Sequence, residues 1–188
     1  MVKKSIYKKK LGDKKNYVAL VEVNSKNYEK TNMGLIKYFT EEENIPGVYV
    51  TLNKPFDHVK KRLSDNGVDT TVIIFIDAVT KLANGSVEKT EDCLFIGSPE
   101  KMSDISIAMD QAVNALPGKE KFIFFDSLSI LLLYNQPITV ARFIHFLSNK
   151  IRLWGVKGII ISLRKKKDKE LINELLQFCD IEMNIGGD

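Results

Sequence analysis

Residues 24–31, NSKNYEKT, fit the phosphate-binding pattern GxxxxGK[ST] at its last two places and miss both glycines. In that pattern the glycines let the backbone curl with its N–H groups facing a polyphosphate. The lysine reaches the terminal phosphates, and the hydroxyl holds a magnesium ion. Lys30 and Thr31 have the right chemistry, while Asn24 and Glu29 stand in the glycine places. Asparagine enters left-handed backbone more readily than other non-glycine residues. Glu29 is a larger departure, because like charges about 4 Å apart cost roughly 4 kcal/mol at an effective dielectric near 20. A plain helix start capped by Ser25 or Asn27 is the other reading of the same residues.

A second candidate group ends an apolar run. In KFIFFD, four apolar residues lead to Asp126, the arrangement by which an aspartate at a strand end reaches a magnesium-bound water. TVIIFIDA puts Asp77 in an equivalent place. Either aspartate could instead cap the element that follows, and the pattern alone leaves the two level. The basic run RKKKDKE, with Arg164, Lys165, Lys166 and Lys167, can meet phosphates or can be a solvated start to a helix. It carries no interleaved aromatic residues for stacking on single strands. His58 and His145 fall beside polar helix positions and read as surface residues, and the sequence assembles no metal cluster.

These residues need a scaffold, and the chain supplies it by alternation. Strands are expected at 17–23, 47–52, 71–77, 93–97, 121–126, 158–162 and 181–185. Most are β-branched and apolar on both faces, as parallel strands covered by crossover helices must be. Between them, residues 138–154 place Val140, Ile144, Leu147, Ile151 and Trp154 on one stripe that stops at Gly155. Residues 103–116, 55–66 and 168–178 show further helical patterns. The expected architecture is a three-layer α/β sandwich on a mainly parallel sheet. Ligands of such sheets sit beyond the carboxyl ends of the strands, which directs attention to the loops from Asn24, Asn53, Ala78, Ser127 and Leu163. The long connection 82–92 reads as a flap over those ends or as a solvated link.

Composition narrows the class. A chain of 188 residues, 44% hydrophobic, can bury a sizeable core without metals or disulfides. Cys93 and Cys179 are far apart in apolar surroundings and read as reduced core residues, which implies a cytoplasmic setting. No apolar run reaches membrane-helix length, no signal peptide is recognised, and no membrane role is expected. Residues 1–16 carry a net +6 against +4 for the whole chain, so the rest is mildly acidic. The expected organisation is a basic, solvated arm at 1–16, one domain at 17–185 and a flexible end at 186–188.

The succession VYVTLNKPFDHVKKRL, VIIFIDAVT, DISIAMDQAV, FIFFDSLSILLLY and TVARFIHFLSNKIRLWGVKGIIIS resembles the RecA superfamily. Within it, the KaiC-like and RadA-like branch is the nearest likeness, above all its small archaeal single-domain members. The resemblance spans roughly residues 17–185 and implies a RecA-like P-loop NTPase fold. It puts Lys30 and Thr31 on the Walker A lysine and hydroxyl, and Asp126 on the Walker B aspartate ahead of Asp77. Ser162 falls where the family has a polar residue facing the γ-phosphate. Asn53 falls where the catalytic glutamate belongs, and an amide cannot take a proton from water as a carboxylate can.

The implied function is that of a pseudo-ATPase, a regulatory or assembly protein that works by binding a protein partner or itself. No cofactor is expected, and Glu29 is expected to pair with Lys26 or Lys30 in place of a phosphate. The alternative is a nucleotide binder or slow ATPase, holding Mg-ATP with magnesium between Thr31 and Asp126. From a third class comes a DNA-binding recombination accessory, using the lysine arm and Arg164 to Lys167.

Overall fold

A computed structural model describes residues 6–12 and 14–186. The strands are β1 (Tyr17–Val23), β2 (Gly47–Thr51), β3 (Ile73–Asp77), β4 (Cys93–Phe95), β5 (Phe122–Asp126), β6 (Lys157–Leu163) and β7 (Ile181–Ile185). They form one sheet in the order β4-β3-β2-β5-β6-β1-β7, and every neighbouring pair is parallel. The fold class is the one expected. All seven strands fall within one or two residues of their expected bounds, and the five that lie between the edge strands β4 and β7 are the apolar runs that burial on both faces demands.

Side chains alternate along each strand, so the sheet divides the core into two layers. Tyr17, Ala19, Val21, Tyr49, Phe122, Phe124 and Ile159 face one side. There they meet Leu11 of α1 (Ile6–Leu11), Leu35 and Ile36 of α2 (Tyr28–Lys37), and Phe56, Val59 and Leu63 of α3 (Phe56–Asp65). Val18, Leu20, Val48, Val50, Ile123, Phe125 and Ile160 face the other side. Here α5 (Met102–Ala115), α6 (Leu128–Tyr134), α7 (Pro137–Trp154) and α8 (Lys169–Leu176) cover them. The stripe on α7 is buried as its spacing requires, with Val140, Ile144, Leu147 and Ile151 at 0–1% exposure. Gly155 ends that helix in the left-handed region, where its φ of 68° costs no Cβ clash.

One expectation about the scaffold needs correction. The basic segment is not a solvated arm throughout: residues 6–11 form α1, and Leu11 is buried in the core beneath it. Tyr7 lies so close to Gly34 that a Cβ there would sit 2.5 Å from the phenol oxygen, so a glycine on α2 is what lets α1 dock. Residues 1–5 and Asp13 of that segment, and 187–188 of the expected flexible end, lie outside the described residues. Of the two readings of the connection 82–92, the structure has the solvated link. It begins in α4 (Thr80–Asn84), is almost wholly exposed, and runs to β4 at the sheet edge, with Lys60 bridging to Asp92. The run after Asp126 forms a separate helix, α6, because its apolar residues serve the layer shared with β6 and α7.

Among the described residues, no helix is long and apolar enough to cross a membrane.

Candidate functional site

Strand parity decides which side chains can meet at the sheet's carboxyl end. Asp126 shares the parity of Phe122 and Phe124, so it faces the layer under α2 and α3. Tyr28 and Asn32, one helical turn apart, point down from α2, and Tyr49 comes from the adjacent strand β2. The Tyr28 hydroxyl donates to Asp126 Oδ1 in a short hydrogen bond. Tyr49 donates to Oδ2 at 2.7 Å and Asn32 Nδ2 to the same oxygen at 3.2 Å. Both carboxylate oxygens are therefore engaged by side chains. Burial raises the Asp126 pKa, and the donated bonds oppose that rise without cancelling it. Burial also raises the Tyr28 and Tyr49 phenols, with the Asp126 charge adding to it, so both remain donors.

The segment between β1 and α2 has only four residues. Asn24 closes it: its backbone oxygen accepts from the Asn27 N–H at 3.1 Å, and its Oδ1 accepts from the same N–H at 3.0 Å and from Asn27 Nδ2 at 2.9 Å. Helix α2 then starts at Tyr28, two residues before Lys30. These Asn24–Asn27 bonds hold the turn closed. A phosphate cradle needs the inward N–H groups of a longer loop.

On α2 the register sends neighbouring side chains in opposite directions. Thr31 is buried at 2% exposure, and Lys30 is exposed on the outer face. Glu29 turns toward α3, not to Lys26 or Lys30 as expected. It accepts from Arg62 through both oxygens and from Lys54 Nζ at 2.8 Å. The Arg62 and Lys54 bonds hold its pKa down to about 2. This bridge ties α3 and the β2–α3 loop to the first turn of α2. Thr51 braces that loop, accepting from the Lys54 N–H at 3.3 Å and donating to the Lys54 carbonyl at 2.6 Å. Asn53 is exposed and lies beside the Tyr28 hydroxyl.

Beneath the bridge is a cavity of about 40 Å³, lined by Tyr28, Asn32, Tyr49, Val59, Leu63 and Asp126 among others. Such a space holds a few waters, far below the roughly 300 Å³ at which small-molecule sites begin. Asn32 Oδ1 is buried without a protein partner, which fits a water there.

Ser162 stands apart from this group. It has the parity of Ile160 and faces the α6 side of the sheet, where its hydroxyl is 3.5 Å from that of Ser129. Asp77 is likewise separate: it accepts from the backbone N–H groups of Phe56 at 2.7 Å, Val79 at 2.6 Å and Thr80 at 2.8 Å. Arg164 donates to the Gly186 carbonyl at 2.7 Å, while Lys165 and Lys167 line a shallow groove with Ser129 and Pro137. Both histidines are exposed, and no set of metal-ligating side chains assembles among the described residues.

Sequence reasoning missed Tyr28, Asn32, Tyr49 and Arg62. One signal was present: a tyrosine inside an apolar strand such as GVYVT must find a partner for its hydroxyl, and a strand-end aspartate of matching parity is the obvious acceptor.

A parallel sheet of this order, flanked on both faces, is a RecA-like α/β architecture. Among solved structures, a KaiC-like protein from the hyperthermophilic archaeon Pyrococcus horikoshii superimposes with a TM-score of 0.55 at 17% identity. The match covers 79% of this chain and 61% of that one, so the chain spans about three fifths of that protein's length. Residues 35–185 match the model of a family of unknown function (DUF7504), and the chain belongs to that family. The matched segment contains Asp126, Asp77 and Ser162 and begins after the window 24–31. No curated protein matches the chain.

Proposed function

We propose that this RecA-like protein is a pseudo-ATPase with a degenerate Walker A segment, whose nucleotide position is filled by its own side chains and which acts by binding. The observation that carries the reading is the engagement of Asp126. Tyr28 and Tyr49 occupy its two oxygens, where a magnesium-bound water would have to be. The four-residue turn, the outward Lys30 and the Glu29 bridge to Arg62 and Lys54 support the same reading. Asn53 offers no carboxylate to activate water. No cofactor is required on this view. Binding of Mg-ATP would need Tyr28 to leave Asp126 and the turn to open.

The working surface is then a protein contact, regulatory or assembling. Its support is the exposed apolar side chains on the α5–α7 layer, among them Ile107 at 58%, Ile138 at 55% and Phe146 at 46%. Thermal unfolding with and without Mg-ATP and Mg-ADP tests the proposal. A nucleotide bound at 100 times its Kd stabilises the native state by about 2.7 kcal/mol. No shift in midpoint is expected, and a shift at millimolar nucleotide overturns the reading.

A further inference from the structure

Where the chain leaves β6 it is tied down three times. The Leu163 N–H donates to the Ser129 hydroxyl of α6 at 2.8 Å, and the Arg164 N–H donates to the Val23 carbonyl of β1 at 2.9 Å. The Arg164 guanidinium donates to the Gly186 carbonyl at 2.7 Å. Lys165 follows in extended backbone, half-buried, and its carbonyl accepts from the Asp168 N–H at 3.1 Å. That bond closes the tight turn Lys166–Asp168, which leads into α8. The basic run is built into the fold, with its first lysine held in place. Residues 164–169 hold five basic side chains and one acid, Asp168. Among the described residues, no carboxylate pairs with Lys165, Lys166, Lys167 or Lys169.

Lys165 and Lys167 form one rim of a groove whose other wall is apolar. Leu132 and Leu133 of α6, Pro137 of α7 and Leu171 of α8 line it, and Leu133 is 65% exposed. Tyr134 and Ile138, on either side of the α6–α7 turn, are exposed as well, so apolar surface continues around that corner. The space is about 250 Å³, below the roughly 300 Å³ at which small-molecule sites begin, and it suits an anchoring side chain of a partner. An aliphatic wall beside unpaired ammoniums discriminates among polyanions. No aromatic ring lines the groove, so an unpaired base finds nothing there to stack on. A peptide that carries both acids and aliphatic side chains matches both walls, pairing the lysines and covering Leu133.

We propose that this groove docks an acidic amphipathic segment of a partner protein. Carboxylates of the segment meet Lys165 and Lys167, and an aliphatic side chain enters between Leu133, Pro137 and Leu171. The proposal rests on the reading that the protein acts by binding a partner, and it gives that contact a place and a chemistry. Ser129 and the groove lie on the α6 side of the sheet, across from the Asp126 cage, so docking requires no change at Asp126.

The test is fluorescence anisotropy of a dye-labelled peptide of about 15 residues, glutamates with leucines at helical spacing, titrated with the full chain. Binding is expected. The same peptide with alanine for every leucine is expected to bind at least about tenfold more weakly, because charge alone leaves the groove unfilled. Leu133→Asp, at an exposed position, is expected to lose about tenfold or more. Lys165→Glu with Lys167→Glu, checked for native circular dichroism, is expected to lose about fivefold or more. Lys89→Glu with Lys119→Glu makes the same change in net charge at exposed positions elsewhere, and is expected to bind like the parent. Absence of binding, equal loss in the two double variants, or an alanine peptide that binds as well as the leucine peptide would each overturn the proposal. Competition by oligodeoxythymidine, or by anionic phospholipid vesicles, as strong as by unlabelled peptide would overturn it too, and would reassign the groove to nucleic acid or to a membrane surface. No nucleotide is present in the titration, so peptide binding and the thermal-shift result with Mg-ATP can each fail without the other.

Discussion

Asp77 and Asp126 end two apolar runs of near-identical appearance, IIFID and FIFFD, on either side of β2, and both are buried at 5% exposure or less. Their partners differ entirely. Asp77 accepts from three backbone N–H groups and the Thr80 hydroxyl, so it fastens the start of α3 and the turn into α4. Asp126 accepts only from side chains, and those come from α2 and β2. A carboxylate fixed by backbone belongs to the scaffold. One fixed by replaceable side chains is a site that other residues could have left open.

The contrast can be broken by substitution, and the largest effect falls on the scaffold aspartate. Asp77→Ala strands three backbone donors that no side-chain movement can satisfy, and is expected to cost about 4 kcal/mol in urea unfolding. Asp126→Ala leaves two phenols and an amide that can turn toward the small cavity, and is expected to cost about 3 kcal/mol. If Asp126→Ala proves the more damaging by a clear margin, the division into scaffold and site is wrong. Tyr49→Phe removes one bond to the carboxylate, at about 2 kcal/mol.

A pH series sharpens the comparison next. The folded-state pKa of Asp126 is raised, so the native protein binds that proton more tightly than the unfolded chain does. Ionised Asp126 therefore costs stability at neutral pH, and the cost is relieved as pH falls through the folded pKa toward the ordinary carboxylate range. Unfolding free energies of the parent and Asp126→Asn are expected to change in the parent's favour across that window. Glu29 runs the other way. Its pKa is lowered to about 2, so its contribution is present above the ordinary glutamate range and is lost as pH falls toward that value. Because Glu29 is half exposed, Glu29→Gln is expected to cost only about 0.5 kcal/mol at pH 7, and less at high salt.

The sheet was legible because burial on both faces demands apolar runs of strand length, and IIFID or GIIIS admits little else. Helix α7 was legible from its stripe and from Gly155. The docking of α1 was not, since its six residues show only Tyr7 and Leu11 facing inward, and the glycine that receives Tyr7 is far along the chain. At the site, position left Asp126 and Asp77 level and only the family resemblance preferred Asp126, while its cage gave no sign in either. Tyr28 and Asn32 lie on the same helix as Lys30 and Thr31, and only the early start of α2 decides which of them faces the sheet. Two residues of loop length separate a lysine aimed at phosphates beside Asp126 from one aimed at solvent. Ser162 was expected at the same cleft, and its parity alone sends it to the opposite face.

The central claim is that Tyr28 and its neighbours fill the position a nucleotide would need. Isothermal titration of the full chain with Mg-ATP examines it most directly, with Lys30→Ala as the companion variant. The expected result is no binding heat at millimolar nucleotide for either protein. A one-site isotherm at micromolar strength that disappears in Lys30→Ala would contradict it.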